Sequence, residues 1–169
     1  MIRISVPGSL AYRELVLRAV ESSCKLARAA SEDLQEAGHG VGARNAQFDA
    51  EVVSAIGEAF NNIAMHGYDG AATGRVDLEI TPTRERLTIV LRDTGKSFDP
   101  HAVPPPDFVH LPESGMGLYI IRSFMDVVEY TAGAEGLPNV LRLVKQVCRV
   151  SPEARSLQRV ETDPQRKPR

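Results

Sequence analysis

The chain has 169 residues, 43% of them hydrophobic and 25% charged, which fits one soluble globular domain able to bury a core. Its formal net charge of −2 gives no general attraction to nucleic acid or to an anionic membrane, so neither is expected as a direct partner. No apolar stretch approaches the ~20 residues that a membrane-spanning helix needs.

Met1 to Val6 is too short for a signal peptide. Cys24 and Cys148 are solitary, which suits reduced thiols in a cytoplasm. A cytoplasmic location is therefore expected. The four histidines, His39, His66, His101 and His110, share no metal-ligand spacing with one another or with cysteine, which argues against a zinc site.

Ile2, Ile4 and Val6 alternate with polar residues and stop at Pro7-Gly8, predicting a short strand. Ser9 then caps a helix whose apolar side carries Tyr12, Leu15, Val16, Ala19, Val20, Ser23, Leu26 and Ala27. Glu14, Arg18, Glu21, Lys25 and Arg28 fall on the opposite side. Residues 30 to 43 are small, polar and glycine-rich and are expected to form a loop. A second helix follows, with Phe48, Val52, Ile56, Phe60 and Ile63 as its apolar stripe, ending near Gly67 with a turn at Asp69-Gly70.

Two strands come next, Arg75 to Ile80 and Leu87 to Arg92, each apolar on one face. The five prolines between residues 100 and 114 predict a loop without regular structure, and a loop that long is usually functional. Gly115 to Met125 reads as a short helix. Val127 to Thr131 and Val140 to Val147 read as closing strands around a Gly133-Gly136 turn. From Ser151 onward the chain is polar and aperiodic and is expected to be a disordered tail, 151–169. The order of elements predicts an α+β fold, a two-layer sandwich with a mixed, mostly antiparallel sheet covered by helices on one face.

The stretch "VLRDTGKSFDP", residues 90 to 100, contains the Gly-Lys-Ser that ends a phosphate-binding P-loop. That loop needs a glycine where Val90 stands and must open a helix, whereas Pro100 and its preceding residue resist helix. The P-loop is excluded, and Asp93-x-Gly95 at a strand end remains. Two further stretches accompany it. In "EAFNNIAMHGY", Glu58 and Asn62 are one helical turn apart on one face, where a carboxylate and an amide oxygen can share a divalent cation. In "ESGMGL", residues 113 to 118, glycines open a helix whose free N–H groups favour phosphate oxygens.

In this order the three stretches resemble the N, G1 and G2 boxes of the GHKL ATPase superfamily, which has the Bergerat nucleotide-binding fold. Within it, the Glu-x-x-x-Asn-x-x-x-His-Gly-Tyr run and Ser-Gly-Met-Gly-Leu look most like the anti-sigma-factor serine/threonine kinases of bacterial partner-switching systems. The resemblance covers residues 1 to 148, and the domain boundary is expected at residue 150.

The resemblance implies ATP and Mg²⁺ as cofactors. Asn62 would hold the Mg²⁺, and Glu58 would be the general base that takes the proton from an incoming hydroxyl. Asp93 would accept a hydrogen bond from the adenine amino group, with Gly95 giving the base room. Gly115, Met116 and Gly117 would offer backbone N–H groups to the phosphates, Ser114 and Leu118 would belong to the same nucleotide-binding stretch, and residues 100 to 114 would form a lid. His66 either belongs to the nucleotide site or is a packed histidine at a helix end. The partners implied are a sigma factor and an anti-sigma-factor antagonist, the latter phosphorylated on Ser or Thr. A homodimer is implied by the same analogy.

Three positions depart from the pattern. Lys96-Ser97 replaces a second glycine, Gly136-Leu137-Pro138-Asn139 replaces a Gly-Thr pair, and Glu113 stands where some relatives have a basic residue. A reading of another class is an ATP-binding sequestering module with little or no kinase activity.

Overall fold

The structure is a computed structural model that describes residues 1–32, 41–70, 74–97, 116–134 and 136–147. The elements follow the expected order. Strand β1 (Ile2–Pro7) leads through a 3₁₀ turn (Leu10–Tyr12) into α1 (Arg13–Glu32). Helix α2 (Val41–Asn62) runs directly into a widened π turn (Ile63–Gly67). Strands β2 (Arg75–Pro82) and β3 (Arg86–Asp93), helix α3 (Met116–Phe124) and strands β4 (Val127–Thr131) and β5 (Asn139–Gln146) complete the fold.

The sheet order is β1-β2-β3-β5-β4, and every neighbouring pair is antiparallel. The α+β class therefore stands, with an antiparallel rather than mixed sheet. The helices α1 and α2 pack together, and α3 packs on α2.

Alternation decides which residues enter the core, because successive strand side chains point to opposite faces. Val76, Leu78 and Ile80 of β2 are buried, as are Leu87, Ile89 and Leu91 of β3. The outward residues carry ion pairs instead, among them Arg3–Glu79 at 3.4 Å and Arg142–Glu129 at 2.8 Å. The same parity places Asp93 at the inward end of β3. It also places Asn139 and Lys145 at the two ends of the inward row of β5, flanking Leu141 and Leu143. All three polar residues are buried. Lys145 is satisfied by Glu51 of α2 and by the carbonyl of Phe124 at the end of α3, so one side chain fastens β5 to both helices.

The expected face of α1 needs correction. Its buried stripe is Val16, Val20, Ser23, Cys24 and Ala27, whereas Leu15 and Leu26 are 55% and 54% exposed and Tyr12 lies in the exposed 3₁₀ turn. The eight apolar positions span more of the helix circumference than the sheet and α2 cover, so those at the flank stay in water.

Arg28, expected on the solvent side, is only 16% exposed and grips Asp49 of α2 through two hydrogen bonds of 3.0 and 2.7 Å. The remaining outer charges pair along the helix, Arg18 with Glu14 and Lys25 with Glu21, each at 2.8 Å. Burial pushes the Cys24 thiol up to about 12, assisted by the charge of Asp49.

The expected loop of residues 30 to 43 is shorter than predicted, because α1 continues through Glu32 and α2 begins at Val41. Its centre, the proline-rich stretch 100–114, Cys148 and the tail beyond residue 150 lie outside the described residues. Ser9 accepts a hydrogen bond from the Ala11 amide at 3.4 Å, so it caps the 3₁₀ turn rather than the helix itself. No helix among the described residues is long and apolar enough to cross a membrane.

Candidate nucleotide site

The first part of the site is the meeting of α2 with α3. Glu58 and Asn62 lie one turn apart near the end of α2, both half-buried. Gly117, the second residue of α3, faces them so closely that a Cβ added there would stand 2.9 Å from Glu58 Oε2 and 3.5 Å from Asn62 Oδ1. Glycine is what lets the α3 backbone approach the two polar side chains.

The neighbouring Asn61 is spent on structure, its Oδ1 accepting from Arg13 Nε at 3.0 Å. Asn62 makes no capping hydrogen bond to the turn it precedes. Among the described residues, no hydrogen bond or ion pair engages Glu58 or Asn62. A carboxylate beside an amide oxygen is a hard-oxygen donor set of the kind Mg²⁺ takes, so the residues present fit that ion. The described residues contain no group of three or more His, Cys, Asp or Glu side chains able to hold a metal by themselves.

The second part forms where the widened turn passes the end of β3. An i to i+5 bond, Tyr68 N–H to Ile63 O at 3.1 Å, carries the chain over that strand end. Extra-wide helical turns of this kind often occur at functional sites. Gly67 O accepts the Lys96 amide at 2.9 Å. A Cβ on Gly95 would lie 2.7 Å from Gly67 O and 2.9 Å from Gly67 Cα. The lack of a side chain at Gly95 is therefore demanded by the protein's own backbone, whatever ligand sits nearby.

Tyr68 then inserts beneath Gly8 and Gly74 and fixes the strand ends. Its hydroxyl accepts from the Thr94 amide at 3.0 Å and donates to Arg75 O at 2.8 Å. His66 is exposed on the same turn. Its exposure argues against a packed histidine at the helix end. The residues after Gly95-Lys96-Ser97 lie outside the described ones, and Thr94 to Ser97 are not helical.

Asp93 is 7% exposed. Its Oδ1 accepts from the Gly95 amide and from Asn139 Nδ2, both at 2.9 Å, while Oδ2 has no partner among the described residues. Asn139, 3% exposed, sits directly opposite Asp93 in the β3–β5 ladder. An open cleft of about 220 Å³ is lined there by Thr94, Gly95 and Ser97, by Gly133, Ala134, Gly136 and Leu137 of the β4–β5 turn, and by Asn139.

Sequence reasoning treated Asn139 only as the replacement for a threonine. The detectable signal was its parity with Leu141 and Leu143, which predicts an inward polar side chain at a strand end. Of the predicted phosphate-binding residues, Met116, Gly117 and Leu118 open α3, with the half-buried Leu118 packed against the core. Ser114 and Gly115, like Glu113, lie outside the described residues.

The antiparallel sheet with α1, α2 and α3, in which Gly117 admits α3 to a Glu–Asn pair, fits the fold expected of an ATPase domain. The profile of the histidine kinase-like ATPase domain matches residues 7–145, and the chain belongs to that family. Among curated proteins it is similar to the Serine-protein kinase RsbW of Bacillus cereus (strain AH187) and of Bacillus thuringiensis subsp. konkukian, 36% identical over 84 residues in each case. It is 34% identical over 82 residues to the protein of the same name from Bacillus licheniformis. Each alignment covers 44% of this chain and 51% of the relative, so the chain spans about half the length of the curated relatives it matches.

Proposed function

We propose that the protein is an ATP-dependent anti-sigma factor and protein serine/threonine kinase of a bacterial partner-switching system, which phosphorylates an antagonist protein on Ser or Thr. The observation that carries this reading is the juxtaposition of Glu58, Asn62 and Gly117 within a histidine kinase-like ATPase domain. The names of the similar serine-protein kinases support the reaction class.

Phosphoryl transfer asks a protein for positioning and charge stabilisation more than for covalent chemistry. Asn62 Oδ1 would hold Mg²⁺, whose chemistry when bound is to neutralise phosphate charge. Glu58 Oε2 would take the proton from the incoming Ser or Thr hydroxyl. The backbone N–H groups at the start of α3 would face phosphate oxygens, and Asp93 would accept from the adenine amino group. A sigma factor and the antagonist would be the partners, in the cytoplasm, and a homodimer would be the acting form, which the solution mass tests.

The test pairs two variants. Glu58→Gln should keep nucleotide affinity within a few-fold and lower phosphate transfer by about 10²–10⁴, the usual contribution of a positioned general base. Asn62→Ala should instead lose metal-dependent nucleotide binding. If the wild-type protein binds ATP and a partner but transfers no γ-phosphate in a single turnover, it is a sequestering module rather than a kinase.

A further inference from the structure

Asn139 has an unusually complete set of contacts for a side chain at the rim of a cleft. One Nδ2 hydrogen goes to Asp93 Oδ1 at 2.9 Å and the other to Gly95 O at 3.0 Å, while Oδ1 accepts from the Gly133 amide at 2.8 Å. Both donors and the acceptor oxygen are used. The assignment of the amide is also unambiguous. Flipping it would set Oδ1 against two acceptors and Nδ2 against a donor, so each of the three contacts independently selects the same orientation.

The consequence falls on Asp93. With Gly95 N–H and Asn139 both on Oδ1, one carboxylate oxygen is saturated and the carboxylate plane is held. Oδ2 has no hydrogen-bond partner among the described residues, and Asp93 itself is 7% exposed, next to the cleft-lining Thr94 and Asn139. Asn139 also joins the two chain segments that line the cleft, because it bonds Gly95 on the β3 side and Gly133 on the turn side. That turn is too tight for a side chain at Gly133, where a Cβ would lie 2.3 Å from Leu137 O.

We propose that Asn139 is a positioning residue of the nucleotide site that determines base specificity by holding the Asp93 carboxylate so that Oδ2 accepts from the amino group of a 6-aminopurine. This rests on the reading of the cleft as the adenine end of that site. A 6-oxopurine presents an acceptor at the same place and would be rejected by a carboxylate so held. Were the carboxylate free to turn or to take up a proton, that rejection would weaken.

The experiment uses Asn139→Asp, which keeps shape and replaces the donor by a second carboxylate. Two carboxylates in hydrogen-bond contact do not both ionise readily, and one proton is shared as pH falls. The protonated variant can again donate to Asp93 Oδ1. The other charged groups on the neighbouring segments, His66, Asp69 and Lys96, are exposed and common to both proteins. Affinity for ATP is measured from pH 5.5 to 8 by calorimetry and expressed as a ratio to wild type at each pH, which cancels the ligand's own titration.

The expected result is binding about tenfold or more weaker at the alkaline end, the usual loss with a charge-assisted hydrogen bond, recovering toward wild type at the acidic end. A ratio that does not change with pH overturns the proposal. Should Asn139→Asp fail to fold, Asn139→Ala is titrated with ATP and GTP at neutral pH. The proposal requires the preference for ATP to fall about tenfold, and equal weakening of both nucleotides overturns it in favour of a purely structural role. Wild-type protein that binds no ATP would refute the nucleotide-site reading itself, and the proposal with it.

Discussion

Alanine at Gly117 and alanine at Gly95 insert the same methyl group into two contacts of similar length, and the structure assigns them opposite consequences. At Gly117 the added carbon would stand 2.9 Å from Glu58 Oε2 and 3.5 Å from Asn62 Oδ1. Both atoms end rotatable side chains, so the clash is relieved by turning them aside at an off-rotamer cost of about 0.5–1.5 kcal/mol. Helix propensity offsets this, since alanine is favoured over glycine by up to about 1 kcal/mol. Stability should therefore stay within about 1 kcal/mol of wild type. Glu58, however, cannot keep its place, and if it is the general base proposed above, a displacement of about 1 Å lowers turnover by roughly 10²-fold.

At Gly95 the atoms in the way are Gly67 O, C and Cα, at 2.7, 2.8 and 2.9 Å. All are backbone, so no rotation relieves the contact, and overpacking of this kind costs about 1–3 kcal/mol. For a domain of this size each kcal/mol moves Tm by roughly 2–4 °C. Thermal melts without nucleotide, run beside single-turnover γ-phosphate transfer, separate the two effects. Gly117→Ala with wild-type turnover, or with a Tm as low as that of Gly95→Ala, would refute the reasoning.

Two further predictions concern the frame around the site. Lys145→Met should destabilise the fold by about 3 kcal/mol, the low end for breaking a buried ion pair, because Glu51 keeps 19% side-chain exposure and a hydrogen bond from Gln47. Urea denaturation measures this, and a loss below about 1 kcal/mol, the scale of an exposed pair, would show the pair to be incidental. Tyr68→Phe removes the hydroxyl that joins Thr94 to Arg75 and should cost about 1–2 kcal/mol for two hydrogen bonds at unchanged m-value. An unchanged denaturation midpoint would show that water replaces both bonds.

The local elements were legible from the sequence because each depends on short-range periodicity. The strand parity of Val76, Leu78 and Ile80, the α2 stripe from Phe48 to Ile63 and the turn at Asp69-Gly70 are all encoded within a few residues. Asp69 and Gly70 do adopt positive φ, 51° and 72°, as such turns require. The motif residues were legible for the same reason. Glu58 and Asn62 must share a helix face wherever the helix packs, and Asp93-x-Gly95 must leave a strand end.

Tertiary structure alone decided what covers each face. Leu15 and Leu26 are as apolar as Val16 and Val20, but the sheet and α2 reach only the second pair, and Arg28 is drawn inward because Asp49 of α2 lies opposite. Only the structure shows that Gly95 lies against the backbone of Gly67 and that Gly117 lies against Glu58 and Asn62. Asn139 gains its role only by facing Asp93 across the β3–β5 ladder, 46 positions away in the chain. A sequence states which side of its own element a residue occupies, whereas the element that comes to lie there is set by long-range packing.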